Sequence, residues 1–156
     1  CYAIGNFDDS DANLRKVQMA TDAIQIKTDP DPYEAFNIAQ AYRAGDLVFV
    51  SGQAALDLQG NIVGVGDFEA QAVQAFENLR AVLKAAGSGM NKLIKVTIYV
   101  TDMTNFETLV ALRQQYFSRP WPADTLVEVS ALALPELMVE VEGIALADGE
   151  VRGATA

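Results

Sequence analysis

The feature that most constrains this chain is a pair of alternating runs inside residues 122–146. Residues 125–130 and 138–144 flank a Leu-Ala-Leu-Pro linker and switch between apolar and polar at every step, the pattern of two half-buried strands that return to one sheet. Strand side chains alternate with period two. Asp124, Leu126 and Glu128 therefore share a face of the first strand, and Glu140 and Glu142 share a face of the second. Carboxylates on strands that could be neighbours repel unless they are solvated or put to use.

Inventory narrows the use. The chain has 156 residues, one domain's worth, with 51% hydrophobic and 21% charged residues, the balance of a globular protein rather than a disordered one. No apolar run reaches the roughly 18 residues of a membrane span, and no basic leader precedes an apolar stretch. A soluble, cytoplasmic protein with no membrane partner is the expectation. A net charge of −10, with 11 scattered Lys and Arg, argues against nucleic acid as a partner. There is no histidine and only one cysteine, which removes histidine-based metal sites, Ser-His-Asp and Cys-His machinery and any internal disulfide. No metal and no cofactor are expected; chemistry must come from carboxylates, hydroxyls, backbone groups, the lone thiol or water. Cys1 is either an N-terminal nucleophile, using its own amino group as base, or an ordinary terminal residue.

Along the chain, residues 1–32 read as an extension: an acidic patch (Asp8, Asp9, Asp11), a helix from Ser10 to about Ile24, then Asp29-Pro30-Asp31-Pro32, which no helix continues through. Residues 33–147 form the domain and 148–156 a tail. A hairpin turns at Ala44-Gly45-Asp46, between a strand ending near Tyr42 and one over 47–51. A further short strand is expected in 54–65, broken at Gln59-Gly60-Asn61. Phe68, Ala72, Ala75, Phe76, Leu79, Val82 and Leu83 recur at helical spacing, predicting a helix over 67–86. A strand over 93–101 and a second helix opened by a capping box at Thr104-Asn105-Phe106-Glu107 follow. The order β-β-β-α-β-α-β-β predicts an α+β sandwich, with both helices on one face of a mixed sheet. The other face is left to be covered by another subunit.

Residues 45–53 (GDLVFVSGQ), the 71–86 helix with Asn78-Leu79, Ala86-Gly87, residues 95–102 (KVTIYVTD), Pro122-Ala123, Val127-Glu128-Val129, Pro135 and residues 139–142 (VEVE) together resemble the Rid family of reactive-intermediate deaminases, also called the YjgF family, over residues 36–147. The resemblance implies a chorismate-mutase-like homotrimer with small-molecule clefts at the subunit interfaces. It also implies hydrolysis of enamines and imines without a cofactor. By position, Glu140 matches the glutamate that positions water, and Ser51 and Gly52 match the cleft wall. Leu126 and Glu128, on the strand that follows the family's Pro-Ala, join Asp124, Ser51, Gly52 and Ile38 as the expected substrate-binding residues.

Two positions depart from the family. Its carboxylate-binding arginine is Asp124 here, and a tyrosine common thirteen residues before the serine is Ile38. Tyr33 is offset from that spacing by five residues and stands as a weak substitute. An anion at 124 repels a substrate carboxylate, unless Arg119, Arg43, Arg15 or another arginine reaches the cleft. Asp124 could bind an amine or pair with an arginine, Glu128 and Glu142 could pair with basic residues, and Trp121 could line a cleft or pack in the core. The expectation is a hydrolase for an imine, enamine or related C=N compound other than a standard amino-acid imine. The alternative is a binding or protective trimer of the same fold with no turnover.

Overall fold

The computed structural model describes residues 22–154. Within them six strands form one sheet: β1 (Ala23–Ile26), β2 (Ala41–Ala44), β3 (Leu47–Ala54), β4 (Leu93–Val100), β5 (Ala123–Glu128) and β6 (Val139–Leu146). The sheet order is β1-β2-β3-β6-β4-β5. Every neighbouring pair is antiparallel except β4 and β5. Two helices, α1 (Phe68–Ala85) and α2 (Phe106–Tyr116), make the crossovers from β3 to β4 and from β4 to β5. The expected α+β sandwich is present.

Alternation places the core. On β6, Val139, Val141 and Ala145 are fully buried, as are Val96, Ile98 and Val100 on β4 and Val48 on β3. They meet Ala72, Ala75, Phe76, Leu79, Val82 and Leu83 of α1. Asp67 caps α1 by accepting the Ala70 N–H at 3.1 Å, and Gly87, at φ +73°, closes its far end, where a side chain would be strained. The Phe76 ring stacks on Tyr116 at 4.9 Å and meets Phe117 edge-on at 5.6 Å, joining α1 to the end of α2. The opposite face of the sheet carries Tyr42 and Phe49, each 43% exposed, with Lys95, Thr97, Tyr99, Glu142 and Ile144. A hollow of about 460 Å³ lies on that face.

Three local expectations are corrected. The helix expected from Ser10 to Ile24 lies outside the described residues up to position 21, and its last positions, Ala23 and Ile24, are strand, pairing with Ala44 and Arg43. The sheet thus reaches ahead of the boundary placed at 32/33. Past Ala54, where β3 ends, residues 55–65 form no further strand; they hold a single bridge between Leu56 and Ile62 around a turn in which Asp57 accepts the Gln59 and Asn61 N–H groups. The third strand before α1 is therefore β1. Thr104 does not cap α2: Asp102 accepts both its N–H and its hydroxyl, at 2.9 and 2.7 Å. Asp102, two residues earlier, caps the 310 turn Met103–Asn105 that leads into α2 and so engages the Thr104 side chain. No helix among the described residues is long and apolar enough to cross a membrane.

Candidate functional site

Register on β3 breaks between Val50 and Gln53. This bulge takes Ser51 and Gly52 out of the ladder with β6, and the Ser51 N–H donates instead to the Gln40 carbonyl at 2.9 Å. The Ser51 hydroxyl donates to the Ala39 carbonyl at 2.6 Å, and the Gln53 side-chain amide donates to the Ser51 carbonyl at 2.9 Å, so the bulge is held from both sides. Glu140 lies directly over it: a Cβ on Gly52 would stand 1.9 Å from Glu140 Oε1. Glycine at 52 is what gives the carboxylate its place.

Glu140 projects into a cavity of about 270 Å³, also lined by Tyr33, Phe36, Ile38, Ser51, Gly52, Leu56, Leu134 and Leu137. The structure thus brings together four of the residues expected from sequence: Glu140, Ser51, Gly52 and Ile38. Tyr33 joins them across the five-residue offset. Its hydroxyl oxygen accepts the Ala54 N–H at 2.8 Å, and Tyr33, Ala54, Ala55, Leu56 and Leu137 form a small core of their own beneath the loops. The 310 turn at Glu34–Phe36, ending at Asn37 with φ +58°, shortens the path from Tyr33 to β2 and carries Tyr33 inward. Spacing counted along an extended chain could not show this. Asn78 donates to the carbonyls of Ala54 and Leu56 at 2.9 and 2.8 Å. The buried Gln71 donates to Glu136 O at 2.7 Å and accepts from Met138 N at 2.8 Å. Helix α1 thereby fixes both loops that wall the cavity.

The electrostatics are those of a proton-accepting carboxylate in apolar surroundings. Burial pushes Glu140 above the usual glutamate range, and the charge of Glu142 adds to the effect. Tyr33 is pushed up to about 12, chiefly by burial, with the Ala54 hydrogen bond opposing and Glu140 contributing. It is neutral at every physiological pH. Glu142 is turned to the open sheet face, where Tyr99 donates to it at 3.0 Å. Among the described residues no group of three or more His, Cys, Asp or Glu side chains could hold a metal ion.

Asp124, Leu126 and Glu128 are not in this cavity. They pair in register with Val96, Ile98 and Val100 and therefore lie on the helix side of the sheet, opposite Glu140. Glu128 accepts the Met103 N–H at 2.7 Å. Asp124 and Leu126 line a separate groove of about 420 Å³ with Arg113, Phe117, Trp121 and Pro122. There Arg113 holds Asp124 through two hydrogen bonds, Nε to Oδ2 at 2.7 Å and Nη2 to Oδ1 at 2.8 Å. Of the arginines named from sequence, Arg43 pairs with Asp148, Arg119 stacks over Trp121, and Arg15 lies outside the described residues. The partner of Asp124 is one that sequence reasoning missed, because Arg113 meets it only when α2 packs back on the β5 edge. Trp121 is 53% exposed and lines the groove rather than the core.

A bulge-seated carboxylate on the last strand of a split β-α-β-α sheet defines a class, and comparison with known proteins gives the same one. The family described as endoribonuclease L-PSP matches residues 27–147, and the chain belongs to it; this is the group also called Rid, YjgF and RutC. A RutC family protein of Pyrococcus horikoshii is 37% identical over 120 residues, covering 77% of this chain and 94% of that protein. A 2-iminobutanoate/2-iminopropanoate deaminase of Dermatophagoides farinae is 31% identical over 119 residues, 76% of this chain and 92% of that one. Among solved structures, RidA from an Antarctic Psychrobacter superposes with a TM-score of 0.73 at 34% identity, covering 79% of this chain and 98% of its own.

Proposed function

We propose that this protein is a cytoplasmic hydrolase of enamines, imines or related C=N compounds that lack a free carboxylate beside the reacting carbon, with Glu140 as the group that positions and activates water. The observation that carries this reading is the Glu140 carboxylate, raised in pKa and seated over Gly52 in an apolar cavity. Such a carboxylate accepts one proton from water as the oxygen bonds to the imine carbon and passes it to the nitrogen, giving a carbinolamine; it then carries the hydroxyl proton to the nitrogen as the C–N bond breaks and the C=O bond forms. Water and imine become carbonyl compound and ammonia, and no redox partner is needed. The name of the mite relative, an iminobutanoate/iminopropanoate deaminase, supports the reaction class. The walls supply Tyr33 and backbone groups but no cation, which disfavours substrates bearing a carboxylate there.

The exposed rings of Tyr42 and Phe49 on the open sheet face, beside Ile144, support association of three copies through that face. Because β5 is an edge strand, this assembly would set the Asp124 groove at the protomer border, with ligand held between subunits. A net charge of −10 speaks against RNA as substrate despite the family's endoribonuclease description.

The test supplies imines generated in place by an amino-acid oxidase, alongside neutral imines. Glu140→Gln should lose about a hundredfold or more in turnover while sedimenting like the parent. Turnover unchanged in that variant would remove Glu140 from the mechanism. No acceleration by the parent with any substrate would favour the binding or protective role, which the occupied Arg113 also fits.

A further inference from the structure

We infer that Asp124 is a specificity-determining residue that keeps a carboxylate receptor, Arg113, closed. The groove bounded by Arg113, Phe117, Trp121, Pro122, Asp124 and Leu126 has the makings of an anion site: a guanidinium at the end of α2, flanked by flat rings. Its fork is already taken. Arg113 Nε and Nη2 engage both oxygens of Asp124 at 2.7 and 2.8 Å, and each side chain keeps only 22% of its surface exposed. A planar guanidinium grips one carboxylate in this side-on manner at a time, so an internal carboxylate competes directly with a ligand's. The pair is neutral as a unit and still offers the second amino group of the guanidinium as a donor. The lone pairs of Asp124 not turned to Arg113 remain as acceptors. A ligand presenting an uncharged carbonyl and N–H edge, such as a primary amide, meets complementary groups there; a carboxylate meets Asp124.

The exclusion thus resides in a single side chain, and the receptor survives beneath it. Removing the Asp124 carboxylate should convert the groove from one that accepts neutral ligands to one that accepts acids. The inference rests on the reading above only in taking the groove as part of the ligand site, and it needs no turnover.

The chain's single tryptophan lines the groove and reports occupancy by its fluorescence. The probes are 2-oxobutanoate and its primary amide, alike except for the charge. The parent should bind the amide more tightly than the acid. Asp124→Ala should shift the acid-to-amide affinity ratio toward the acid by about ten- to a hundredfold, the worth of a charge-assisted bidentate contact, and the gain should shrink with added salt. Asp124→Asn, which keeps the shape and one acceptor for Arg113, should shift the ratio less and serves if the alanine variant does not fold. Adding Arg113→Gln to either should erase the shift. An unchanged ratio in both single variants, a shift that survives loss of Arg113, or failure of the parent to bind either probe would each overturn the inference. The Glu140→Gln turnover and sedimentation measurements report separately on the proposed reaction and assembly.

Discussion

Glu140 shows what the site demands of the fold at the scale of a residue. Its pKa is raised by burial and by Glu142, so the native state favours its protonated form. Below the ordinary glutamate range both native and unfolded chains hold the proton, and the contribution to stability is fully present. As pH rises the unfolded chain releases its proton first, and stability falls until pH passes the raised native value. Glu140→Gln should therefore melt higher than the parent at about pH 8 and no higher at about pH 3.5, read by thermal denaturation at the two pH values. A variant less stable at both would show that the carboxylate is held by favourable contacts instead. Gly52→Ala acts on the same oxygen by sterics. The added Cβ would stand 1.9 Å from Glu140 Oε1, so Glu140 must leave its seat. Turnover should fall about as far as in Glu140→Gln, with the chain still folded by circular dichroism. Tyr33→Phe keeps the ring in its small core and removes the acceptor of the Ala54 N–H. That leaves a buried donor unpaired and should cost about 1–2 kcal/mol in urea denaturation.

Among the elements, α1 both covers the sheet and ties the cavity loops. Gln71 is fully buried and joins residue 64 to residues 136 and 138 through three hydrogen bonds. Gln71→Ala strips partners from backbone groups in two loops and opens a void beside Phe68. A loss of roughly 2–4 kcal/mol is expected in equilibrium unfolding, with faster hydrogen exchange over 131–138 than over β4. Uniform exchange across both would mean that the loop is not fastened by this side chain. The helix was legible from its apolar period. Its second task was not, since a glutamine among apolar residues reads as an ordinary polar position until the loop it serves is folded against it.

At the scale of the molecule, one face of the sheet is sealed by helices and the other presents Tyr42 and Phe49 beside Lys95, Thr97 and Glu142. Phe49→Asp places a charge among those groups without touching the helix-side core. If the face joins three copies, sedimentation velocity should show the parent at three times the chain mass and this variant at one. A parent that sediments as a single chain would leave the open face without the proposed partner.

Periodicity and inventory by themselves determined the α+β class, the hairpin at Gly45, the span of α1 and the absence of histidine chemistry, because these follow from local propensity and from which side chains exist at all. The resemblance to the Rid family, rather than periodicity, marked Glu140, Ser51, Gly52 and Ile38, which the cavity brings together. What tertiary structure alone decided concerns pairs far apart in the chain. The edge strand β1 takes in Ala23 and Ile24, the last two positions of the helical spacing over 10–24, because pairing with β2 outweighs a weak amphipathic pattern there. Tyr33 enters the cavity because a tight turn shortens its path. Asp124, first read beside Glu140 as one more strand carboxylate, faces the other side of the sheet and is held by Arg113. That contact exists only because α2 folds back along β5, so the local pattern at residue 124 carries no trace of it.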